Sequence, residues 1–167
     1  MPFTPLHLGP ALLIGLLLFP ILDLPALVVS SVILDVEPVY LLFQPHEYLH
    51  GFFHTYLGAS IIAVPLAAIV IFSRRPLNRI AAVFGLTQGS SFRKVLLTSL
   101  FGVYFHIFLD SFLYPDIRPF YPLTMNPFYN PVSFRVSSLM FDVAMLSFVL
   151  TFLVYATRLA LRKLRHV

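Results

Sequence analysis

From Tyr48 to Phe72 the chain contains no Lys, Arg, Asp or Glu, and that run limits its fold more than any other feature. It exceeds the ~20 residues a helix needs to cross the hydrocarbon of a bilayer. Inside lipid no water relieves an unpaired amide or carbonyl, so such a run closes its own hydrogen bonds as a helix. Four further apolar segments accompany it: His7 to Leu22, a stretch opening at Pro25 and interrupted at Pro38, Val95 to Leu113, and Val136 to Thr157. Charged residues make up 11% of the chain, against about a quarter in a soluble domain. The expected fold is all-α: a polytopic transmembrane helical bundle of about five spans. The second span is the one able to re-enter, and residues 1–167 form a single domain. The opening MPFTPLHLGPALLIGLLLFP lacks a basic n-region and a small-residue cleavage site, so it is expected to be retained.

The net charge of +4 is concentrated. Arg74, Arg75, Arg79, Arg93 and Lys94 fall in the connector 73–94, and Arg158, Arg162, Lys163 and Arg165 in the C-terminal tail, with no acid in either. Basic clusters flanking apolar spans mark the cytoplasmic side and attract anionic headgroups. They orient a membrane protein, so nucleic acid is not an expected partner and membrane lipids are. Within the connector, RRPLNRIAAVF suits a short interfacial helix. Anchoring both clusters inside gives an N-terminus outside and a C-terminus in the cytoplasm.

On that topology His7, Asp35, Glu37, His50, His54, His106 and Asp110 all fall toward the outer face. Segments of alternating direction were free to disagree. The depths match only coarsely: counted from the inner ends at 1.5 Å per residue, Asp35 stands at ~15 Å, His106 at ~18 Å and His54 at ~30 Å. His50 and His54, spaced i, i+4, are expected on one helix face, and His106 and Asp110 repeat that spacing. Two such pairs offer four nitrogen and oxygen ligands, the number zinc takes. Asp35 and Glu37 add carboxylates where Pro38 disfavours helix, and His7 adds an imidazole. Seven candidates exceed the needs of one ion, so two ions are expected. The chain has no Cys, which excludes thiolate ligation.

A blander reading exists for each residue alone. A membrane histidine often only packs, Asp110 can cap a helix, and Asp35 can pair with a histidine. Together they resist it, because each intramembrane acid costs about 2.5–3.5 kcal/mol on the insertion scale. Asp142 is expected either behind a histidine or paired in packing. Asp23 marks an inner turn, His46 and Glu47 an outer loop, and Gly58 and Gly102 close helix contacts.

The stretches TPLHLGPALLIG, LDVEP, HGFFHTYLGA and HIFLDSFLYPDIRPF resemble the membrane-bound metal-dependent hydrolases. That family is also described as inner-membrane-associated hydrolases of the LexA-binding type. The resemblance runs over about residues 3–120. It implies His7, Asp35, Glu37, His54, His106 and Asp110 as the matching polar positions and a prokaryotic inner membrane as the location. A fainter likeness links the ligand pattern to zinc-dependent phospholipase C. Two departures stand out. Many relatives carry Arg-Gly where this chain has His50-Gly51, and many carry Pro-Asp-x-Asp where it has Leu34-Asp35-Val36-Glu37.

The expected activity is metal-dependent hydrolysis of a phosphoester in a lipid or lipid-linked substrate. The metal is zinc, with manganese the alternative, held by His7, Asp35, His50, His54, His106 and Asp110. Glu37 is expected as general base or as a further ligand. The segment 114–135 has five prolines and six aromatics, too broken for helix and too aromatic for an idle loop. It is expected as a lid offering Arg118 or Arg135 to an anionic headgroup, since a guanidinium binds phosphate oxygens bidentately. Two rivals differ in class. A divalent-cation transporter would need a midplane site with polar paths to both faces. A scaffold with a structural metal would close all four coordination positions.

Overall fold

The computed structural model describes residues 5–45, 48–129 and 134–164, with the side chains of 5, 134–137 and 163 excepted. His46 and Glu47, and the side chain of Arg135, therefore lie outside the described residues. The described residues form helices joined by turns and loops, without strands. Seven helices follow in order: α1 (Pro5–Leu17), α2 (Leu24–Ser30), α3 (Val36–Leu41), α4 (Tyr56–Phe72), α5 (Arg74–Val83), α6 (Phe92–Ser111) and α7 (Phe134–Leu164). Short 3₁₀ turns occupy Ile33–Asp35 and Phe52–His54.

Three stretches are long and apolar enough to cross a membrane: Leu24–Leu41 taken through its break, Phe92–Ser111 and Ser138–Arg162. Helix α4 qualifies only together with α5, from which it is bent by 71°. Helix α1 has 13 residues, a rise of ~20 Å against ~30 Å of hydrocarbon.

The second segment breaks earlier than Pro38. Ser30 and Ser31 turn their hydroxyls back onto the carbonyls of Leu27 (3.1 Å) and Val28 (2.8 Å), a competition that helps end a helix. The chain restarts at Val36, so Pro38 sits in the first turn of α3. No amide there needs an intrahelical acceptor, and proline does no damage.

The core lies where α2, α4 and α6 meet. Leu34, Ala59, Ala63, Val103, Ile107 and Ile117 form one buried cluster, and Ala26, Leu66, Ala67, Val70 and Val95 a second. Gly102 faces Ser30, whose hydroxyl occupies the place a methyl group there would need. The resulting close approach of α6 to α2 sets up the contact of His106 described below. Gly58 likewise lies against the main chain of Phe52.

At the other end Asp23 does more than mark a turn. It caps α2 by accepting from Ala26 N at 3.0 Å, and it pairs with Arg74 at 2.6 Å at the α4–α5 bend. Gln88 donates to the carbonyls of Phe19 and Leu22 and accepts from Leu24 N. Burial pushes the Asp23 carboxyl up, but hydrogen bonds from Arg74, Ser90 and Ala26 outweigh it and hold the group below its ordinary value. Asp142 belongs to neither expected role: it lies on the exposed side of α7, and no ion pair among the described residues involves it.

Candidate metal centre

Two helices and two loops carry the polar residues to one place. His7 stands in the first turn of α1. Asp35 ends the 3₁₀ turn after the serine break. His106 and Asp110 share a face of α6 at i, i+4, with Nε2 and Oδ2 3.2 Å apart.

His50 and His54 do not share a helix. His50 is in a loop, and His54 closes the 3₁₀ turn that precedes α4. The cause is local. Gly51 adopts φ −101°, ψ −149°, outside the helical region. The Glu37 carboxylate accepts the main-chain N–H of Phe53 (3.1 Å) and of His54 (3.2 Å). Helix α4 starts only after Thr55, whose hydroxyl caps it by accepting from Gly58 N. The loop still brings the two rings together, with centroids 4.7 Å apart.

The result is two groups of side chains. In His7, Asp35, His106 and Asp110, one ligand atom from each lies within 4.8 Å of all the others, and the same holds for His50, His54 and Asp110. Asp110 belongs to both. The approaches are short: His7 Nε2 to Asp110 Oδ1 is 3.0 Å, and His106 Nε2 to Asp35 Oδ1 is 3.8 Å. His54 is 0% exposed, His106 1% and Asp110 2%.

Three histidines are aimed by their other nitrogen. His106 Nδ1 lies 2.8 Å from the carbonyl of Ser31, an oxygen that can only accept, so Nδ1 carries the proton. His54 Nδ1 meets Glu37 Oε2 at 2.7 Å, and His50 Nδ1 meets both oxygens of Asp116 at 3.0 Å. A carboxylate or carbonyl behind a histidine fixes its tautomer and leaves the Nε2 lone pair facing forward. Asp35 Oδ2, His54 Nε2, His106 Nε2 and Asp110 Oδ1 are buried and make no hydrogen bond of acceptable geometry within the protein. Buried polar atoms without hydrogen bonds are expensive, and cations held by the two ligand groups would satisfy them. Imidazole and carboxylate donors of this kind could hold a divalent cation.

Comparison with family models, with curated proteins and with solved structures gives no match. The site is therefore read from its own geometry.

Asp116, like the Ser31 carbonyl, stands behind a clustered histidine without having been singled out in the sequence. Its Oδ2 also accepts the main-chain N–H of Leu49 and His50, each at 3.0 Å. Burial pushes its carboxyl up, but the side chain and main chain of His50 hold it down at about 2. The only signal was its place two residues before Arg118, in YPDIRPF.

The segment after α6 packs beside the site. Ile117 is buried in the core, the Pro119 carbonyl accepts the free first amide of α4 at Tyr56 (2.9 Å), and Asn126 donates to the carbonyls of Ser111 and Tyr114. Arg118 lines a cavity of about 390 Å³ together with Tyr48, His50, Phe52, Asp116 and Tyr121. Its guanidinium lies 5.7 Å from the Tyr48 ring centroid.

Proposed function

We propose that this chain is a metal-dependent membrane hydrolase acting on a phosphoester of a lipid or lipid-linked substrate. The observation that carries the reading is the set of buried, unpaired ligand atoms backed by three oriented histidines. A packing role alone gives no reason for the Nε2 lone pairs of His54 and of His106 to be buried without a hydrogen-bond donor. The resemblance of the four sequence stretches to membrane-bound metal-dependent hydrolases supports the same reading.

His7, Asp35, His106 and Asp110 would hold one divalent ion, and His50, His54 and Asp110 a second, with Asp110 shared. Zinc is the first choice and manganese the second. When bound, such ions polarise a phosphoryl oxygen and acidify water at neutral pH.

The chain's own residues do the rest. Ser31, Glu37 and Asp116 orient His106, His54 and His50. Glu37 is a positioning residue on this reading rather than the general base, because both its oxygens are engaged, one by Phe53 N and the other by the main chain and ring of His54. Arg118 binds an anionic oxygen at the cavity wall. The topology is five segments, N-terminus outside and C-terminus in the cytoplasm, which puts the site at the extracytoplasmic face of a prokaryotic inner membrane. A cation path through the protein has less support: the one acid at the opposite end, Asp23, is neutralised by Arg74.

Metal analysis of purified protein, paired with a panel of phosphomonoester and phosphodiester substrates, tests the reading. It predicts bound zinc or manganese and turnover of at least one phosphoester. A protein that takes up neither metal on loading overturns it.

A further inference from the structure

We propose that the cavity between α1, α6 and α7 is a chamber for the hydrocarbon chain of an amphiphilic phosphate ester. The phosphate of that ester lies at the His/Asp cluster, and its polar remainder faces Arg118. The proposal rests on the hydrolase reading and names what that site accepts.

The cluster has a cavity on each of two sides, and they differ in chemistry. The first, about 390 Å³, includes His50, Asp116 and Arg118 in its walls. The second, about 450 Å³, is walled largely by apolar side chains such as Leu6, Leu109, Leu113 and Phe141, with His7 and Tyr114 as its polar ones. His7 belongs to one ligand group and His50 to the other. Each cavity thus ends on a different member of the same cluster. A molecule that occupied both while touching the cluster would need an apolar part, a phosphate beside the cluster and a polar part within reach of a guanidinium. That is the outline of a lipid phosphate ester. A small water-soluble phosphate would leave the second cavity unfilled.

The chamber's contribution is position rather than affinity. Lipid tails are as apolar as leucine side chains, so moving a chain from bilayer to chamber removes little surface from water. What the chamber supplies is a fixed distance between the chain and His7, which holds the phosphate where ligands and Arg118 converge. A larger apolar cavity of about 600 Å³ exists at the opposite end, lined by residues including Leu77, Phe84 and Phe152, and it contains none of the cluster residues. It serves as an internal control.

The test is photolabelling with dodecyl phosphate carrying a diazirine near the end of its chain, on metal-loaded full-length protein in detergent. Label is expected on peptides containing Leu109–Leu113 and Met140–Ala144. Met140→Trp and Val143→Trp should each lower that label at least tenfold with metal content unchanged. Val143 is half exposed and tolerates bulk, so it decides the question if Met140→Trp misfolds. Label centred on Leu77, Phe84 and Phe152, or label unaffected by both substitutions, overturns the proposal. The two readings fail separately: label in the chamber of a protein that hydrolyses no phosphoester sustains the chamber and overturns the hydrolase.

Discussion

His106 donates its Nδ1–H to the main-chain carbonyl of Ser31, 75 positions earlier, at 2.8 Å. This bond connects the break in the second apolar segment to the candidate metal centre. The carbonyl is free because α2 has just ended, and α6 reaches it because Gly102 lets α6 lie against Ser30. Filling that contact should therefore damage the site from a distance.

Metal content should follow the clustered atoms and the groups behind them. His54→Ala and Asp110→Ala are each expected to strip most of the bound metal. Glu37→Ala, which removes only the partner of His54 Nδ1 and two main-chain amides, should weaken metal affinity about 10–100-fold. Titration against a competing chelator measures this. A Glu37→Ala protein with normal affinity and strongly reduced turnover would return Glu37 to the role of base.

Gly51→Ala should mimic the loss of Glu37. A methyl group at Gly51 would stand 2.5 Å from Glu37 Oε1, inside contact distance, so the carboxylate must move off His54. We expect reduced metal affinity with little change in helix content by circular dichroism. Wild-type affinity in that variant would show that Glu37 is not holding the histidine.

Arg118→Ala should raise KM or lower kcat/KM for a phosphorylated substrate while leaving bound metal unchanged. Arg118 lines the cavity beside His50 but belongs to neither ligand group. Wild-type kinetics on an identified substrate would remove the anion-binding role.

Acid should weaken the opposite end of the molecule through Asp23. Its folded-state pKa is lowered, so the stabilisation is full above the unfolded carboxylate value of about 3.9. It is lost as pH falls through the lower, folded value. The melting temperature of wild type minus that of Asp23→Asn should be positive near neutral pH and shrink below about pH 4. Arg74→Met leaves Asp23 buried without its counter-charge, which costs about 3–5 kcal/mol. A difference that stays constant down to pH 2 would contradict this.

Topology is testable because the chain has no cysteine. Gly89→Cys, where an added side chain meets nothing, should react with an impermeant thiol reagent only after permeabilisation. Met125→Cys, 74% exposed, should react in intact cells. The reverse pattern would put the metal centre at the cytoplasmic face.

Helicity was legible in the sequence because lipid-length apolar runs leave the backbone no other way to satisfy itself. So was the α6 pair, since His106 and Asp110 are neighbours on any helix. The polar candidates were legible as a set, because acids and histidines are rare in such runs. What failed was the extrapolation of helix through His50 and His54. The i, i+4 rule holds only where the backbone is helical, and Glu37, 17 positions away from His54, captures the amides that a helix there would have used.

The sequence by itself determined an all-helical membrane-type chain and the residues available for a cation. Only the tertiary structure decided which nitrogen of each histidine faces the cluster, that Asp110 belongs to two ligand groups, and that Asp116 stands behind His50. The physical reason is range. Apolar periodicity and side-chain cost act along the chain and can be read locally. Orientation depends on single acceptors such as the Ser31 carbonyl, which a distant helix reaches only after the core has packed.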